Sequence, residues 1–476
     1  MTLGLGADSG DGREELPGGG AGELPPGWAR ATLAELCDVN PRAFDDEPED
    51  DDFISQVPMA AVEAETGRID ASSQLRYGDF KKKSLTRFQE NDVLFAKITP
   101  CMENGKIAVA RGLLDGRALG STEFHVLRTL GPVLPEYLMH YLLQRNVRTN
   151  AEQNMSGAVG QRRVPRPYLE ALEVPVPPLA EQRRIVAQVE QQISHIEAGE
   201  DALTEATRRV SDLRSSIADA AISQHSESPW ERLQDLLREP LRNGVSAKAT
   251  TDGTGIRTLT LTAVTRNDFS PQFTKVTSAD PKRIKNLWLE DQDIFIQRSN
   301  SAELVGTSAI YRGERNWAIY PDLLIRVRVN QSRVLPEYAA LALRTNRILF
   351  YFRRNARGLS GSMPKIDQAM IENVDFPVPA LHQQREAIEW VKQQEAAIDP
   401  LAASVSEAQT ESAELRAALL NAAFTGTLVP QDPADEPASA LLDRIRAARA
   451  TVQKAPRKRA QRKPRSAPPG QEELPQ

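Results

Sequence analysis

The sequence has few of the residues from which disulfide frameworks, metal sites and histidine-dependent active sites are built. Among 476 residues there are two cysteines, Cys37 and Cys101, and five histidines that occur singly. Disulfide scaffolds and structural zinc sites need closely spaced cysteine or cysteine–histidine sets, so this composition argues against both. No apolar run approaches the roughly 18 residues that a membrane span requires. We therefore expect a protein of the reducing cytoplasm without a membrane segment.

The chain also lacks the motifs of a catalytic or cofactor site. The nearest approach to a phosphate-binding loop, residues 100–107, has neither the first glycine nor a Ser/Thr after Lys106. No Asn/Asp-Pro-Pro-aromatic motif of an amino-methyltransferase is present, and no GxGxxG motif follows a strand. The acidic run at residues 50–52 lies in disorder-prone sequence and is better explained by solvation than by a metal. We expect no cofactor, no metal site and no catalysis by this chain on its own.

Charge is unevenly distributed along a chain whose net charge is −6. Residues 1–66 contain 3 basic and 16 acidic side chains, residues 67–172 contain 16 and 10, and residues 232–375 contain 22 and 15. Contact with phosphate needs a local positive face and not a positive total. Ordinary solvated surface charge would give similar counts, so composition alone does not decide whether the chain binds DNA.

The sequence contains an internal repeat at an offset of 201–202 residues. The stretch "VPVPPLAEQRRI" from Val174 returns as "FPVPALHQQREAI" from Phe376, and "VLPEY" occurs at residues 133–137 and 334–338. Residues 91–97 align with residues 292–298. A unit of about 200 residues is too long for a solenoid repeat and suits a pair of duplicated domains. Each copy begins with short β-branched runs, continues with a helix after VLPEY, and closes with a long helix, which predicts an α+β protein.

The closing helices have apolar residues at intervals of seven, the spacing of a coiled-coil seam. A helix of about 43 residues would be about 64 Å long, and such a seam needs a partner. We expect the two helices to pair antiparallel, the alternative being that each packs only on its own domain. The predicted seam positions are Val189, Ile196, Leu203, Val210, Ile217, Val391, Ile398, Val405, Leu415 and Leu419.

Several stretches are similar to one known family. "DVLFAKITPCMENGKIAVA", "SGAVGQRRVPRPYLEALEVPVPPLAEQRRIV" and "FTGTLVPQDPADEPASALLDRIRAAR" resemble the specificity subunit of Type I restriction–modification enzymes, over residues 24–449. The resemblance implies two α/β target-recognition domains, each reading one half of a split double-stranded DNA sequence. It also implies that the long helices set the unread gap and carry two methyltransferase subunits, which restriction/translocase subunits join.

These patterns define the expected domain organisation. We expect a disordered N-terminal segment at 1–24, a first target-recognition domain at 25–178, a long helix at 179–224, a second target-recognition domain at 225–380, a second long helix at 381–424, and a docking helix with a basic disordered tail at 425–476. The two target-recognition domains are called the first head (25–178) and the second head (225–380) below.

The DNA-contact candidates are basic residues and two glycine-containing loops, because Lys and Arg bind phosphates and Arg, Asn and Gln read base edges. In the first head they are Lys81, Lys82, Lys83, Arg87, Ser156, Gly157, Gln161, Arg162 and Arg163. In the second head they are Lys282, Arg283, Lys285, Arg298, Arg353, Arg354, Arg357, Ser360, Gly361 and Lys365.

Two other functions fit the same sequence features. The chain could be the DNA-recognition partner of a fused methyltransferase–nuclease, which differs only in its neighbouring subunit. It could also be a coiled-coil interaction protein without DNA binding. Salt-dependent binding of the isolated heads to duplex DNA distinguishes that last function from the other two.

Overall fold

The structure is a computed structural model that describes residues 23–41, 44–158, 161–250, 253–358 and 363–454. The strands are β1 (Ala29–Thr32), β2 (Cys37–Val39), β3 (Phe53–Val57), β4 (Gln74–Arg76), β5 (Thr86–Gln89), β6 (Val93–Ala96), β7 (Ile107–Val109), β8 (Arg117–Gly120), β9 (Phe124–Thr129), β10 (Glu173–Val176), β11 (Trp230–Arg232), β12 (Arg242–Asn243), β13 (Ile256–Leu259), β14 (Thr274–Thr277), β15 (Ile294–Gln297), β16 (Ser308–Ile310), β17 (Leu324–Val327) and β18 (Asp375–Pro377). The α-helices are α1 (Leu33–Leu36), α2 (Tyr77–Phe80), α3 (Pro135–Leu143), α4 (Arg145–Gln153), α5 (Arg166–Ala171), α6 (Leu179–Ser223), α7 (Leu261–Thr265), α8 (Pro336–Leu343), α9 (Asn346–Asn355), α10 (Gln368–Glu372), α11 (Leu381–Thr425) and α12 (Ala438–Lys454).

Contacts divide the chain into two compact units. Unit 1 comprises Met1–Gly199 and Glu411–Gln476, and unit 2 comprises Glu200–Thr410. Both boundaries fall inside the long helices, so unit 1 holds the start of α6 and the end of α11, and unit 2 holds the opposite ends. The predicted α+β class, with two sheet-containing domains and long helices that pack together, is confirmed.

Unit 1 contains two four-stranded sheets. One is antiparallel in the order β2-β9-β6-β7, and the other has the order β4-β3-β8-β5 with β3 parallel to β8. A separate pair, β1 and β10, brings the two ends of the first head together, with Ala29 opposite Val176. Helix α3 packs on β6 and β7, and its Tyr137 is fully buried in the same core.

Unit 2 repeats the first of these sheets and the end-joining pair. The antiparallel sheet β12-β17-β15-β16 corresponds to β2-β9-β6-β7, and β11 pairs with β18 as β1 pairs with β10. In place of the second four-stranded sheet, unit 2 has the two-stranded pair β13-β14. The duplicated framework is thus common to both heads, and the second sheet is where they differ.

The repeated sequence motifs fix the start of each long helix in the same way. In unit 1 the Gln182 side chain donates to the carbonyl of Pro177 (3.1 Å) and accepts from the peptide nitrogen of Leu134 (3.2 Å). In unit 2 Gln384 makes the same two bonds, to Pro379 (2.8 Å) and Leu335 (2.8 Å). Both glutamines are fully buried, so each satisfies backbone groups that would otherwise lack a partner.

The tyrosine of each VLPEY motif completes this joint. Tyr137 donates its hydroxyl to the carbonyl of Pro175 at 2.7 Å, and Tyr338 donates to Pro377 at 3.2 Å. Burial raises the pKa of both phenols, Tyr137 and Tyr338, and both stay protonated as donors. The two motifs are therefore parts of one joint between the helix after VLPEY, the last strand of the head, and the long helix.

The long helices pair antiparallel within each unit. In unit 1 the early α6 residues Ile185, Val189, Ile193 and Ile196 share a core with the late α11 residues Leu419, Leu420, Ala423 and Phe424. In unit 2 the late α6 residues Ala218, Ala221 and Ile222 share a core with the early α11 residues Ala387 and Val391. Each unit therefore brings the start of one helix to the end of the other.

The buried face of the helices differs from the predicted seam. Of the predicted positions Val189, Ile196, Val210, Val391, Ile398, Val405 and Leu419 are buried, whereas Leu203 and Ile217 are only partly buried. Leu415 is 58% exposed, so its assignment to the seam is wrong. Each helix end also packs on its own head, which widens and rotates the buried stripe. A second row of buried residues therefore lies four positions after the predicted one: Ile193 follows Val189, and Ala423 follows Leu419.

One ion pair between the helices recurs in both units. In unit 2 Arg214 of α6 lies 2.7 Å from Asp399 of α11. In unit 1 Arg416 of α11 lies 3.8 Å from Glu197 of α6, and these positions are offset by 202 in each helix. The duplicated helices thus keep the same pair of positions in both units, with the arginine and the acid each 202 residues apart.

Helix α12 packs on unit 1. Leu441, Leu442 and Ile445 are buried against the first head, and Arg446 forms an ion pair with Glu35 at 2.9 Å. The peptide nitrogen of Ala438 donates to the carbonyl of Gly27 at 2.8 Å. The basic tail beyond residue 454 and the N-terminal segment before residue 23 lie outside the described residues.

Candidate nucleic-acid interface

The predicted loop of the first head is held to the end of strand β6. Ser156 and Arg163 pair through their backbones at 3.0 and 2.8 Å, and Thr99 donates its peptide hydrogen to Arg162 at 3.0 Å. Gly157 has a φ of +119°, and a side chain there would meet the carbonyl oxygen of Gln161 at 3.0 Å. The close approach of the two arms therefore requires glycine. Gln161 is exposed.

The two arginines of this loop have partners inside the protein. Arg163 binds Glu123 through two nitrogens, each at 2.9 Å, and this bond lowers the pKa of the Glu123 carboxyl. Arg162 lies 3.4 Å from Glu152 and 3.7 Å from Glu103. Both guanidinium groups are part-exposed, so a phosphate or base could reach them only by sharing or replacing these carboxylates.

The lysine cluster of the first head surrounds helix α2. Lys81 lies 2.6 Å from Asp50, and Arg87 donates to the carbonyl of Lys81 at 2.8 Å. Lys83 lies over the ring of Phe80, 4.0 Å from its centroid, and Lys82 is exposed. The four residues therefore form one cationic corner beside strand β5.

The second head builds its loop on the corresponding strand, β15. Arg357 and Lys365 pair through their backbones at 2.8 and 2.9 Å, and Ile366 donates its peptide hydrogen to the carbonyl of Arg298 at 2.9 Å. The structure thus brings together Arg298, Arg357 and Lys365, which are far apart in sequence. Ser360 and Gly361, two further DNA-contact candidates, lie outside the described residues.

Among described residues, the DNA-contact candidates of the second head lack the carboxylate partners that Lys81, Arg162 and Arg163 have in the first. Arg353 and Arg354 are exposed at the end of α9, and Arg354 lies 6.0 Å from the ring centroid of Phe350. Within the described ranges, no carboxylate lies within 4 Å of the charged groups of Arg298, Arg353, Arg354, Arg357, Lys365, Lys282, Arg283 or Lys285. This surface is therefore available to an anionic ligand at no cost in broken ion pairs.

The turn that carries Lys282, Arg283 and Lys285 is a separate basic site in the second head. The peptide nitrogen of Lys282 donates to Asp280 at 2.9 Å, and buried Ile284 anchors the turn. The three basic side chains are exposed.

One residue that belongs with the first-head loop was not predicted. Lys97 follows β6 as Arg298 follows β15, and its carbonyl accepts from Val164 of the loop at 2.9 Å. Its charge also helps to lower the pKa of Glu123, the partner of Arg163. The signal was present in the sequence, since the repeat aligns residues 91–97 with residues 292–298.

No group in the described part of the chain resembles a metal site. The described residues contain no set of three or more His, Cys, Asp or Glu side chains placed to hold an ion. None of the described helices is long and apolar enough to cross a membrane.

Comparison with known proteins points to one family. Residues 25–206 match the family profile described as the Type I restriction modification DNA specificity domain. The Type I restriction enzyme EcoAI specificity subunit of Escherichia coli is 37% identical over 175 residues, which are 36% of this chain and 29% of that protein. This chain therefore aligns with less than a third of that relative's length.

Other relatives align over nearly the whole chain. The StySPI specificity subunit of Salmonella potsdam is 23% identical over 90% of this chain and 97% of its own length. A solved structure described as the "structural basis underlying complex assembly and conformational transition of the type I R-M system" is 22% identical, covers 85% of this chain and 99% of its own, and has a TM-score of 0.51. Residues 25–206 therefore match a Type I restriction modification DNA specificity domain, and the chain is similar to Type I restriction enzyme specificity subunits over most of its length.

Proposed function

We propose that this chain is the DNA-specificity subunit of a Type I restriction–modification complex in the cytoplasm, with each head reading one half of a bipartite sequence in duplex DNA. The observation that carries the proposal is that one backbone construction is used twice. In each head a cation-bearing loop is tied to the end of the same strand, β6 or β15, while the side chains differ. A shared frame with different side chains suits two heads that read different half-sites.

The residue types of the two loops fit recognition of DNA. Arg can bind the O6 and N7 acceptors of guanine through two nitrogens, and Gln can bind adenine in a similar way. Lysines and backbone N–H groups hold phosphates and so set the register of the protein on the duplex. We assign positioning to the exposed lysine clusters and base reading to the loop residues Gln161, Arg162, Arg163, Arg357 and Lys365.

The partners follow from the same proposal. Two methyltransferase subunits would bind the long helices, and restriction/translocase subunits would join that core. Leu213 and Leu401 in unit 2, and Leu415 in unit 1, are 47%, 55% and 58% exposed on those helices. Exposed leucines at heptad positions suit contact with further helices. We assign residues 25–178 and 225–380 to the heads and no catalytic role to either.

The proposal is tested by purifying the chain alone and together with the product of the adjacent reading frame. We expect methylation of duplex DNA from S-adenosylmethionine only when both proteins are present, because this chain supplies specificity and its partner supplies the reaction. The chain alone should bind duplex DNA with an affinity that falls as salt rises. Turnover of S-adenosylmethionine by this chain alone, or no duplex binding at any salt concentration, would contradict the proposal.

A further inference from the structure

The acidic run between β2 and β3 is docked against the first head. From the sequence this run was predicted to be solvated, but residues 44–52 make a series of contacts with the head. The run reaches four cations: Asp45 lies 3.1 Å from Arg128, Asp46 lies 2.8 Å from Arg117, Asp50 pairs with Lys81, and Asp51 pairs with Arg76. The carboxylates of the run thus lie against basic side chains of the head.

Two of these cations depend on the run alone. Arg117 also pairs with Asp115, and Arg128 also pairs with the buried Asp92. Arg76 and Lys81, in contrast, have no other carboxylate within 4 Å in the part of the chain that the structure describes. Lys81 is one of the predicted phosphate contacts. Removal of the run would therefore leave two basic side chains unpaired.

The run is fixed in place by apolar and backbone contacts as well as by charge. Phe44 is buried and meets the ring of Tyr77 edge-on at 6.2 Å, and the Tyr77 hydroxyl donates to Glu47. The peptide nitrogens of Tyr77 and Gly78 donate to the carbonyls of Asp52 (2.8 Å) and Asp50 (3.0 Å). A Cβ at position 78 would lie 2.6 Å from the Asp50 carbonyl oxygen, so this approach requires glycine.

In the described part of the second head, no acidic run lies against the DNA-contact candidates. The corresponding stretch, residues 245–253, contains one acidic residue. Other arginines of the second head form ion pairs, but its DNA-contact candidates have no carboxylate partner among described residues. The first head also pairs its loop arginines internally. The two heads therefore share a framework, but among their described DNA-contact candidates the first head pairs Lys81, Arg162 and Arg163 with carboxylates and the second head pairs none.

We propose that residues 44–52 form an intramolecular counter-anion that limits the binding of the first head to DNA of arbitrary sequence. The run occupies Arg76 and Lys81, which would otherwise take phosphates of any duplex and release counterions. These ion pairs are exposed and individually weak, so the phosphates of a correctly bound site can replace them without unfolding the head. The inference rests on the proposed DNA-binding function, and it names the element that sets the ratio of specific to non-specific affinity in the first head.

Two variants of the full chain test this proposal by different physical routes. Asp50→Asn with Asp51→Asn removes both charges, whereas Gly78→Ala pushes the run away from α2 without any change of charge. Binding to a duplex of random sequence is measured by fluorescence anisotropy from 50 to about 300 mM salt. Since each phosphate contact contributes about 0.9 to the slope of log K against log salt, two freed cations should steepen the slope by about 2.

A matched control distinguishes the effect of uncovering Arg76 and Lys81 from the effect of changing the net charge of the chain. Glu411 and Glu414 are exposed on α11 and have no ion-pair partner among the described residues, so Glu411→Gln with Glu414→Gln changes the net charge equally. We expect both test variants to be steeper than this control. A slope in either test variant no steeper than that of the control overturns the inference. If the unaltered chain does not bind duplex DNA at all, the proposed function fails instead.

Discussion

His140 provides a test of how the buried core of unit 1 responds to pH. Its side chain is 4% exposed in helix α3, and neither ring nitrogen has a hydrogen-bond partner in the described part of the chain. Burial lowers the pKa of His140 from 6.5 to about 4. In the second copy the corresponding position, Leu341 of α8, carries an apolar side chain that is 5% exposed.

The sign of the pH effect follows from this shift. Above pH 6.5 the imidazole is neutral in both the folded and the unfolded chain, so the stability of the folded state is at its full value. As pH falls from 6.5 towards 4, His140 binds a proton in the unfolded chain but stays neutral in the folded chain. The free energy of unfolding therefore falls by about 1.4 kcal/mol per pH unit, or about 3 kcal/mol over the whole window.

His140→Leu should remove both effects. At pH 7 we expect unit 1 to gain about 1–3 kcal/mol, since two unpaired buried nitrogens are replaced by methyl groups. The loss of stability between pH 6.5 and 4 should shrink by about 3 kcal/mol. The measurement is urea denaturation of the original chain and the variant at several pH values across that window.

The control is His195→Gln, which changes an exposed histidine of α6. It should leave the pH dependence of unfolding as it is, because this side chain is exposed and folding does not bury it. If the stability curves of the original chain and His140→Leu run parallel from pH 6.5 to 4, the reasoning about His140 is refuted.

Two further predictions concern the second head and the helices. Arg353→Gln with Arg354→Gln should weaken duplex binding and reduce the salt slope by about 2, since neither arginine has a carboxylate partner among described residues; unchanged anisotropy titrations would exclude them from the interface. One heptad inserted near Leu203 and another near Val405 adds about 10 Å to each helix, and we expect the methylated sequence to keep its half-sites with an unread gap about three base pairs longer. An unchanged gap with full activity would show that the helices do not set it.

The duplicated framework could be predicted because the residues that hold it together are themselves repeated in the sequence. The repeat of VLPEY and of the glutamine after each proline run predicted two equal units, and the structure shows these residues making the same joint twice. Heptad spacing likewise predicted that the long helices carry an apolar face. The prediction went wrong at Leu415 because periodicity reports that a face is apolar, but not how much of it a neighbouring head covers.

The electrostatic detail of the heads could not be predicted from composition. Counts of charge gave both heads a similar positive excess, but they could not show that Arg163 is bound to Glu123 or that Lys81 is bound to Asp50. These pairs join residues that are 40 and 31 positions apart in sequence. The acidic run was interpreted as solvated because its docking depends on Tyr77 and Gly78. These two residues are uncharged, so the charge pattern of the sequence does not indicate that they contact the run.

The central claim is that each head reads its own half of the DNA sequence. It is tested most directly by replacing residues 28–172 with the corresponding segment of another family member and sequencing the methylated sites in a host that carries the chimera. We predict that one half of the methylated sequence changes, while the other half is retained. A chimera whose methylated sequence changes in both halves, or in neither, would contradict independent reading by the two heads.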